Sequence, residues 1–279
     1  MKRLYLLVSI VIFLNSFMFA KPKMIEIKDE KNNLNIEISE TLVTMKEYKE
    51  YLSEKNPNKL EDFEQKKIRF TNYIPVEFEN NWPVWGITWR DAADYCNWLS
   101  EKEGYMPCYY LVEAEENPKY GKIIMKEDAN GYRLPYIREL LILSGIKEGL
   151  AQEKFEKENT SGLKLDPDKN YPLPVSEGKK NSYGIYDILG NLSQFCNDYY
   201  QEGYNYFDYT LSPYGPETYT PDEDQLYYNE PLTAVRCYFG GGRSTTYKEL
   251  YSYLIIYANE LSEEFTGIRV VRQINHFWW

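Results

Sequence analysis

Residues 83–104 read PVWGITWRDAADYCNWLSEKEG, and this stretch predicts a helix with a start, an apolar face and a stop. Thr88 is followed three residues later by Asp91, a spacing typical of the capping box at a helix N-terminus. Apolar residues then recur at helical spacing, which predicts that one face of the helix packs against a core. Gly104 suits the end of the helix, because glycine readily adopts the left-handed conformation found there. The apolar stripe consists of Trp89, Ala92, Ala93, Cys96 and Leu99.

Working outward, two more segments predict helices and three predict short strands. TMKEYKEYLSEK (44–55) repeats the capping box with Thr44 and Glu47, and RLPYIRELLILSGI (133–146) carries an apolar face at the same spacing. Elsewhere glycine, proline and asparagine punctuate the chain and predict long ordered loops. We therefore expect an α+β domain with few helices, short strands and much ordered loop. The strand candidates are VRCYF (235–239), LIIYA (254–258) and GIRVV (267–271).

The N-terminus is typical of a secretory signal peptide. A basic start, an apolar run to about Leu14 and smaller residues up to Ala20 have the required layout. We expect residues 1–20 to be removed on export and residues 21–279 to form one domain, periplasmic or extracellular. A retained membrane anchor is the alternative, although the run is shorter than the about 20 apolar residues of a span. No other segment is long and apolar enough, so we do not expect an integral membrane protein.

Charge and rare residues restrict the function. The net charge of −11 disfavours nucleic acid as a partner, because phosphates would be repelled. The single histidine, His276, lies in the tail, which disfavours a Ser-His-Asp triad or a multi-histidine metal site. Four cysteines in an exported chain allow disulfides in three full pairings, and free buried thiols are equally consistent. These cysteines are Cys96, Cys108, Cys196 and Cys237.

Five motifs occur in an order that resembles the formylglycine-generating enzyme, or sulfatase-modifying factor, family. The resemblance covers about residues 38–272. It implies a fold similar to a C-type lectin domain, with short twisted strands, a few helices and abundant ordered loop, in agreement with the pattern above. The motifs are residues 83–104, GYRLPYIREL (131–140), NSYGIYDILGNLSQFCND (181–198), the glycine run 240–242 and GIRVVR (267–272).

The family resemblance implies copper-dependent oxidation of a protein cysteine by two active-site cysteines. Aligning the family's glycines with Gly240 and Gly241 puts these two cysteines at Thr245 and Leu250. Cu(I) prefers soft thiolates to hydroxyl or alkyl groups, so the sequence disfavours copper and formylglycine synthesis. A non-catalytic binding or structural module is the favoured interpretation. The alternative is a formylglycine-generating-type oxidoreductase acting on protein cysteine, or a divergent activity on the same scaffold. The glycines themselves predict a close passage of backbone.

The resemblance also implies a structural calcium site around the segment IYDILGNLSQF (185–195). Calcium prefers about six to eight oxygen ligands with several carboxylates, and the family has glutamate where this chain has glutamine. Losing that carboxylate predicts weakened calcium binding. A tight turn at Gly190–Asn191 that needs no ion is the alternative. The matching positions are the side chain of Asp187, the carbonyls of Gly190 and Leu192, and the side chain of Gln194.

Residues 197–230 contain nine tyrosines interleaved with carboxylates, a composition typical of binding surfaces. Such a surface would suit a sugar, a peptide or another protein, and plain packing of a long loop is the alternative. The stretch 244–259, rich in Ser, Thr and Tyr, also suits a diversified lectin-like display protein. The candidate ligand-binding residues are Tyr199, Tyr200, Tyr204, Tyr206, Arg243 and Tyr247.

Overall fold

Short strands and few helices make up the described part of the chain. The computed structural model describes residues 19–70, 80–112, 122–126, 128–146, 172–208, 216, 234–241, 254–262 and 266–274. The helices in these ranges are α1 (Met45–Lys55), α2 (Pro57–Phe70), α3 (Trp89–Glu103) and α4 (Ile137–Ser144). The strands are β1 (Met24–Asp29), β2 (Leu34–Ser39), β3 (Tyr109–Val112), β4 (Lys122–Met125), β5 (Tyr132–Arg133), β6 (Ser193–Tyr199), β7 (Val235–Phe239), β8 (Ile255–Asn259), β9 (Thr266–Gly267) and β10 (Val271–Gln273). The predicted α+β class is confirmed.

The predicted capping boxes begin α1 and α3. At α3 the N–H of Asp91 donates to Thr88 Oγ1 at 3.0 Å, and the N–H of Thr88 donates back to Asp91 Oδ2 at 3.1 Å. Gly104 ends the helix with φ 78°, the left-handed conformation expected there. The predicted apolar stripe of α3 is fully buried. These helix boundaries follow from local hydrogen bonding, which is why the sequence predicts them.

Two four-stranded sheets and one hairpin organise the strands. The first sheet has the order β1-β2-β10-β5 and the second the order β8-β7-β6-β9, while β3 and β4 pair separately. Neighbouring strands are antiparallel, except that β9 runs parallel to β6. Strand β10 therefore lies between two strands that come from the first half of the chain.

The strand predictions are confirmed for two segments and wrong for the third. VRCYF is β7, and LIIYA is β8 shifted by one residue. GIRVV is not one strand, because it divides between β9 and β10. Residues 268–270 cross from one sheet to the other: the Ile268 carbonyl accepts from Val43 N–H at 2.8 Å, and the Val270 carbonyl accepts from Ser39 N–H at 2.9 Å.

The second sheet lies between two hydrophobic clusters. Phe195 and Tyr238 belong to the cluster around α1 and α3, whereas Cys196 and Cys237 belong to the cluster around α4 and the first sheet. Alternate residues of a strand point to opposite faces, so both faces of this sheet are covered, and every residue of β7 is buried. No helix in the described ranges has the length and apolarity needed to cross a bilayer.

Candidate functional site

The loop that precedes β6 has an unusual backbone. Asp187, Gly190 and Asn191 all have positive φ, at 49°, 76° and 58°. Asparagine and aspartate tolerate this conformation better than most residues, and glycine adopts it freely. The Asn191 side chain holds the loop by accepting from Leu173 N–H at 2.9 Å and donating to the Leu173 carbonyl at 3.1 Å. Gly190 and Asn191 thus have the left-handed backbone that the tight-turn alternative expects.

Arg269, from the segment between the two sheets, is the cation of this site. Its side chain is fully buried, and burial lowers its pKa to about 10, so the guanidinium is charged at neutral pH. One terminal nitrogen, Nη1, donates to the Ser39 carbonyl at 2.7 Å. The other, Nη2, donates to the carbonyls of Tyr186 at 2.7 Å and Asp187 at 3.1 Å. Four segments of the chain are tied together at this guanidinium, since Nε binds a side chain of β6.

That side chain is Gln194, which is also fully buried. Its Oε1 accepts from Arg269 Nε at 2.5 Å. Its Nε2 donates to the carbonyls of Ile188 at 2.9 Å and Asp187 at 3.2 Å. The reversed amide would place Nε2 against a guanidinium donor and Oε1 against two carbonyls, so the hydrogen bonds fix this orientation.

Gly240 is the glycine that closes the site. Its φ of 103° is unfavourable for residues with a side chain, and an added Cβ would lie 3.1 Å from the Ile188 carbonyl and 3.3 Å from Gln194 Nε2. Its carbonyl accepts from Gly190 N–H at 2.8 Å. The predicted close passage of backbone is confirmed at this glycine. Four predicted positions lie outside the described residues: Arg243, Thr245, Tyr247 and Leu250.

The four positions predicted for calcium do lie together, but the side chains do not form a set of oxygens waiting for an ion. Gln194 has its oxygen on a guanidinium and directs an N–H donor toward the Asp187 carbonyl. Burial raises the pKa of Asp187, which disfavours its charged form, and its Oδ2 accepts from Asn191 at 3.3 Å. Calcium needs negative oxygens, and the nearest buried charge here is positive. The side chains present therefore do not fit a calcium site. The weakened calcium binding expected from the family resemblance stays a prediction.

A cavity of about 360 Å³ opens beside this loop, at the C-terminal end of α4. Part of its polar lining is engaged in contacts within the protein. The Asn181 side chain donates to the Leu143 carbonyl and accepts from Ile185 N–H, and Lys180 forms an ion pair with Glu40. Lys179 and Ser182 also line the cavity, which adjoins the site.

The predicted tyrosines gather at the end of β6. Tyr206 donates from its hydroxyl to the Tyr199 carbonyl at 2.8 Å, and the Tyr204 and Tyr206 rings are 4.8 Å apart. Tyr200 stacks on Tyr257 with centroids 3.7 Å apart and planes inclined by 19°. Tyr257 is 55% exposed, more than any other large hydrophobic residue in the described ranges. The structure therefore adds Tyr257 to the aromatic surface that we predict.

All four cysteines of the chain lie in the described residues, and all are buried free thiols. Burial raises the pKa of each thiol. A raised pKa and burial both disfavour the thiolate, which is the form that binds metals and attacks electrophiles. The structure thus agrees with the alternative that the four cysteines are free buried thiols.

The fold defines the class first: an α+β domain of the C-type lectin-like kind, with curled short sheets and much ordered loop. The chain belongs to the FGE-sulfatase family, whose Sulfatase-modifying factor enzyme 1-like domain matches residues 29–274. This establishes the family resemblance seen in the sequence.

Several characterised proteins are similar to parts of the chain. A chaperone protein, LppX of Paenibacillus barcinonensis, is 31% identical over 143 residues, covering 41% of this chain and 51% of that protein. A formylglycine-generating enzyme of Streptomyces coelicolor is 25% identical over 138 residues, covering 50% of this chain and 39% of that enzyme. A serine/threonine-protein kinase, pkn1 of Chlamydia pneumoniae, is 26% identical over 138 residues, or 48% of this chain and 17% of the kinase. The chain spans about half or less of the length of these relatives.

Two solved structures share the fold over almost the whole chain. Treponema denticola variable protein 1 superposes with a TM-score of 0.58 at 19% identity, covering 92% of this chain and 93% of the other. CarF superposes with a TM-score of 0.53 at 19% identity, covering 92% and 95%. At this level of identity the likeness concerns the fold and leaves function to be argued from the site.

Proposed function

We propose that the chain is an exported, non-catalytic member of the FGE-sulfatase family that acts as a binding or structural module. One observation carries the proposal: the positions that match the family's catalytic cysteines are Thr245 and Leu250, and every cysteine of the chain is buried elsewhere. Cu(I) is held by accessible thiolates, and neither a hydroxyl nor an alkyl side chain replaces them. The chain therefore keeps the family fold but lacks the two thiols that the family's copper chemistry requires.

The binding surface that we propose is the stack of Tyr200 on Tyr257. Aromatic rings give large contact area with few rotatable bonds, and a hydroxyl at the tip adds polar recognition. The unidentified partner would be a sugar, a peptide or a protein, since the chain carries a net charge of −11 that would repel nucleic acid. Export is supported by the layout of residues 1–20, and cell fractionation with N-terminal sequencing of the mature protein tests it.

Copper loading tests the absence of catalysis. The purified protein is titrated with Cu(I) against a competing chelator and incubated with a sulfatase-motif cysteine peptide, and the aldehyde product is measured. We expect neither a tight Cu(I) site nor an aldehyde. The variant carrying both Thr245→Cys and Leu250→Cys is the matched control, and we expect it to bind Cu(I) much more tightly. A tight site and aldehyde formation in the natural sequence would overturn the proposal.

The aromatic surface has its own test. A panel of glycans and cationic peptides is screened with the natural protein, Tyr257→Ala and Tyr110→Ala. Tyr110 is the matched control because it is similarly exposed, at 41%, and lies on a different pair of strands. We expect Tyr257→Ala to weaken any binding at least about tenfold, as loss of an aromatic anchor does, while Tyr110→Ala leaves it unchanged. Equal binding by all three proteins would contradict this assignment.

Two other functions rest on separate observations. The similarity to the Streptomyces coelicolor enzyme supports a formylglycine-generating-type oxidoreductase. Tight Cu(I) binding and aldehyde formation in the copper experiment would favour this function, and their absence would exclude it. The Ser-, Thr- and Tyr-rich stretch 244–259 supports a diversified ligand-display protein. Diversification leaves a near-copy of the coding segment elsewhere in the genome, so a search of the genomic sequence tests that function directly.

A further inference from the structure

We propose that Arg269 and Gln194 together replace the metal ion at the loop before β6, so that this domain folds without calcium. The inference is independent of whether the chain is catalytic, because it concerns how one loop is held. It rests on which buried atoms face one another at this site.

Four backbone carbonyls converge on the side chains of Arg269 and Gln194. The carbonyls of Ser39, Tyr186, Asp187 and Ile188 all receive hydrogen bonds from the two side chains, at 2.7 to 3.2 Å. Buried carbonyl groups require partners, and an irregular loop cannot supply them from its own backbone. A metal ion is one way to satisfy such a cluster of oxygens. Here N–H donors of a guanidinium and a carboxamide do so instead.

Position 194 carries an amide side chain, that of Gln194, and not a carboxylate. A carboxylate at this position would present only oxygen to the carbonyls of Asp187 and Ile188, an arrangement that repels unless a cation lies between them. The amide of Gln194 turns one of its two ends into a donor and removes that repulsion. Replacing one carboxylate oxygen by the amide nitrogen of Gln194 therefore lets the loop be held without an ion.

The buried positive charge of Arg269 also disfavours a metal ion at this site. Arg269 is fully buried and its Nη2 lies 3.1 Å from the Asp187 carbonyl, so a divalent cation on the carboxylate of the same residue would be close to a fixed positive charge. Repulsion between like charges is strong where water is excluded. The only carboxylate among the four predicted positions is Asp187, which is too little negative charge to offset it.

Thermal unfolding with and without calcium tests the proposal. The natural protein, Gln194→Glu and Gln194→Met are melted in millimolar CaCl₂ and in EGTA, and each is examined for bound calcium by equilibrium dialysis. We expect the natural protein to melt at the same temperature, within about 1 °C, in both buffers and to bind no calcium. Gln194→Glu should melt several degrees lower in EGTA and recover with calcium. Gln194→Met, which can neither donate nor bind an ion, should be destabilised equally in both.

Each outcome has a fixed meaning. A natural protein that gains stability from calcium would overturn the proposal, as would a Gln194→Glu protein that is indifferent to calcium. If Gln194→Glu does not fold in EGTA, it is refolded in calcium and then titrated with chelator. Unfolding on chelation supports the proposal, and a protein that stays folded after losing calcium contradicts it.

Discussion

Arg236 lies between the rings of Trp89 and Tyr199, with its guanidinium carbon 4.0 Å from the first ring centroid and 3.8 Å from the second. Nη1 donates to the Asn197 carbonyl at 2.8 Å, and Nε lies 3.4 Å from a carboxylate oxygen of Glu260. A cation held between two aromatic faces is attracted by both, and more strongly when water is excluded. This one side chain joins α3, β6, β7 and the turn after β8.

We predict that Arg236→Lys destabilises the domain by about 2–4 kcal/mol, because an ammonium cannot stack between two rings or keep the fork of hydrogen bonds. Urea unfolding measures the loss. Arg272→Lys is the matched control, since Arg272 also covers a tyrosine ring and pairs with Glu37, but its ion pair is more exposed, at 14% and 28% against 4% and 1% for Arg236 and Glu260. We expect the control to lose less than about 1 kcal/mol. Equal losses would mean that the stacked geometry contributes nothing.

A second prediction concerns pH. Burial raises the pKa of Asp198 to about 7, from 3.8 for an exposed aspartate. Between these values the folded state binds more protons than the unfolded state, so stability falls as pH rises from about 4 to about 7. Asn in place of Asp198 cannot titrate and still offers an oxygen to Ile137 N–H, which donates to Asp198 Oδ2 at 2.8 Å. Asp198→Asn should therefore reduce this slope, and Asp94, whose pKa burial raises to about 6, keeps part of it.

The pH experiment has a built-in control. Hydrogen bonds from Asn32 and Tyr183 lower the pKa of Asp29, so this group is ionised in both states above about pH 5. Asp29→Asn should leave the slope between pH 5 and pH 7 unchanged. An Asp198→Asn protein with the same slope as the natural protein would contradict the assignment to Asp198.

A third prediction tests the close passage at Gly240. Gly240→Ala combines an unfavourable φ of 103° with a Cβ 3.1 Å from the Ile188 carbonyl. Gly86→Ala is the control, because Gly86 also has positive φ, at 68°, but has open space around the added atom. We expect the control to lose about 1–2 kcal/mol from the backbone conformation alone, and Gly240→Ala to lose clearly more. Equal melting temperatures would show that the loop moves aside freely.

The fourth prediction concerns the thiols. Because all four are buried and their pKa values are raised, the folded protein should react with Ellman's reagent at least about a hundredfold more slowly than the unfolded chain. In guanidinium chloride we expect four thiols per chain. Fewer than four would show that disulfides form in the natural protein. A fast-reacting thiol in the folded state would contradict the burial described above.

Local hydrogen bonding explains which parts of the fold can be predicted from the sequence. The capping boxes at Thr44 and Thr88 depend on residues three apart, and both are present in the structure. Strand β7 depends on a continuous apolar run and is also found where predicted. The GIRVV segment does not form one strand, because Val270 is bonded to Ser39, a residue far away in the chain.

The site shows the same division. The turn at Gly190–Asn191 and the gathering of tyrosines near β6 are visible in the sequence. The role of Gln194 is not, because its partner Arg269 is 75 residues away. Nor is Tyr257, whose exposure depends on which side of β8 faces the core. In the structure the residues on either side of Tyr257 are less exposed, as alternation along a strand at the edge of a sheet requires.

Strand β10 has a consequence for when the protein can fold. It fills the place between β2 and β5, and the bond from Arg272 to Glu37 spans 235 residues of sequence. A ribosome must therefore synthesise the chain through β10 before the first sheet can close. Contacts so distant in sequence also form slowly. Until then β2 and β5 have no strand between them, so the first sheet stays incomplete throughout synthesis of the residues that separate β5 from β10.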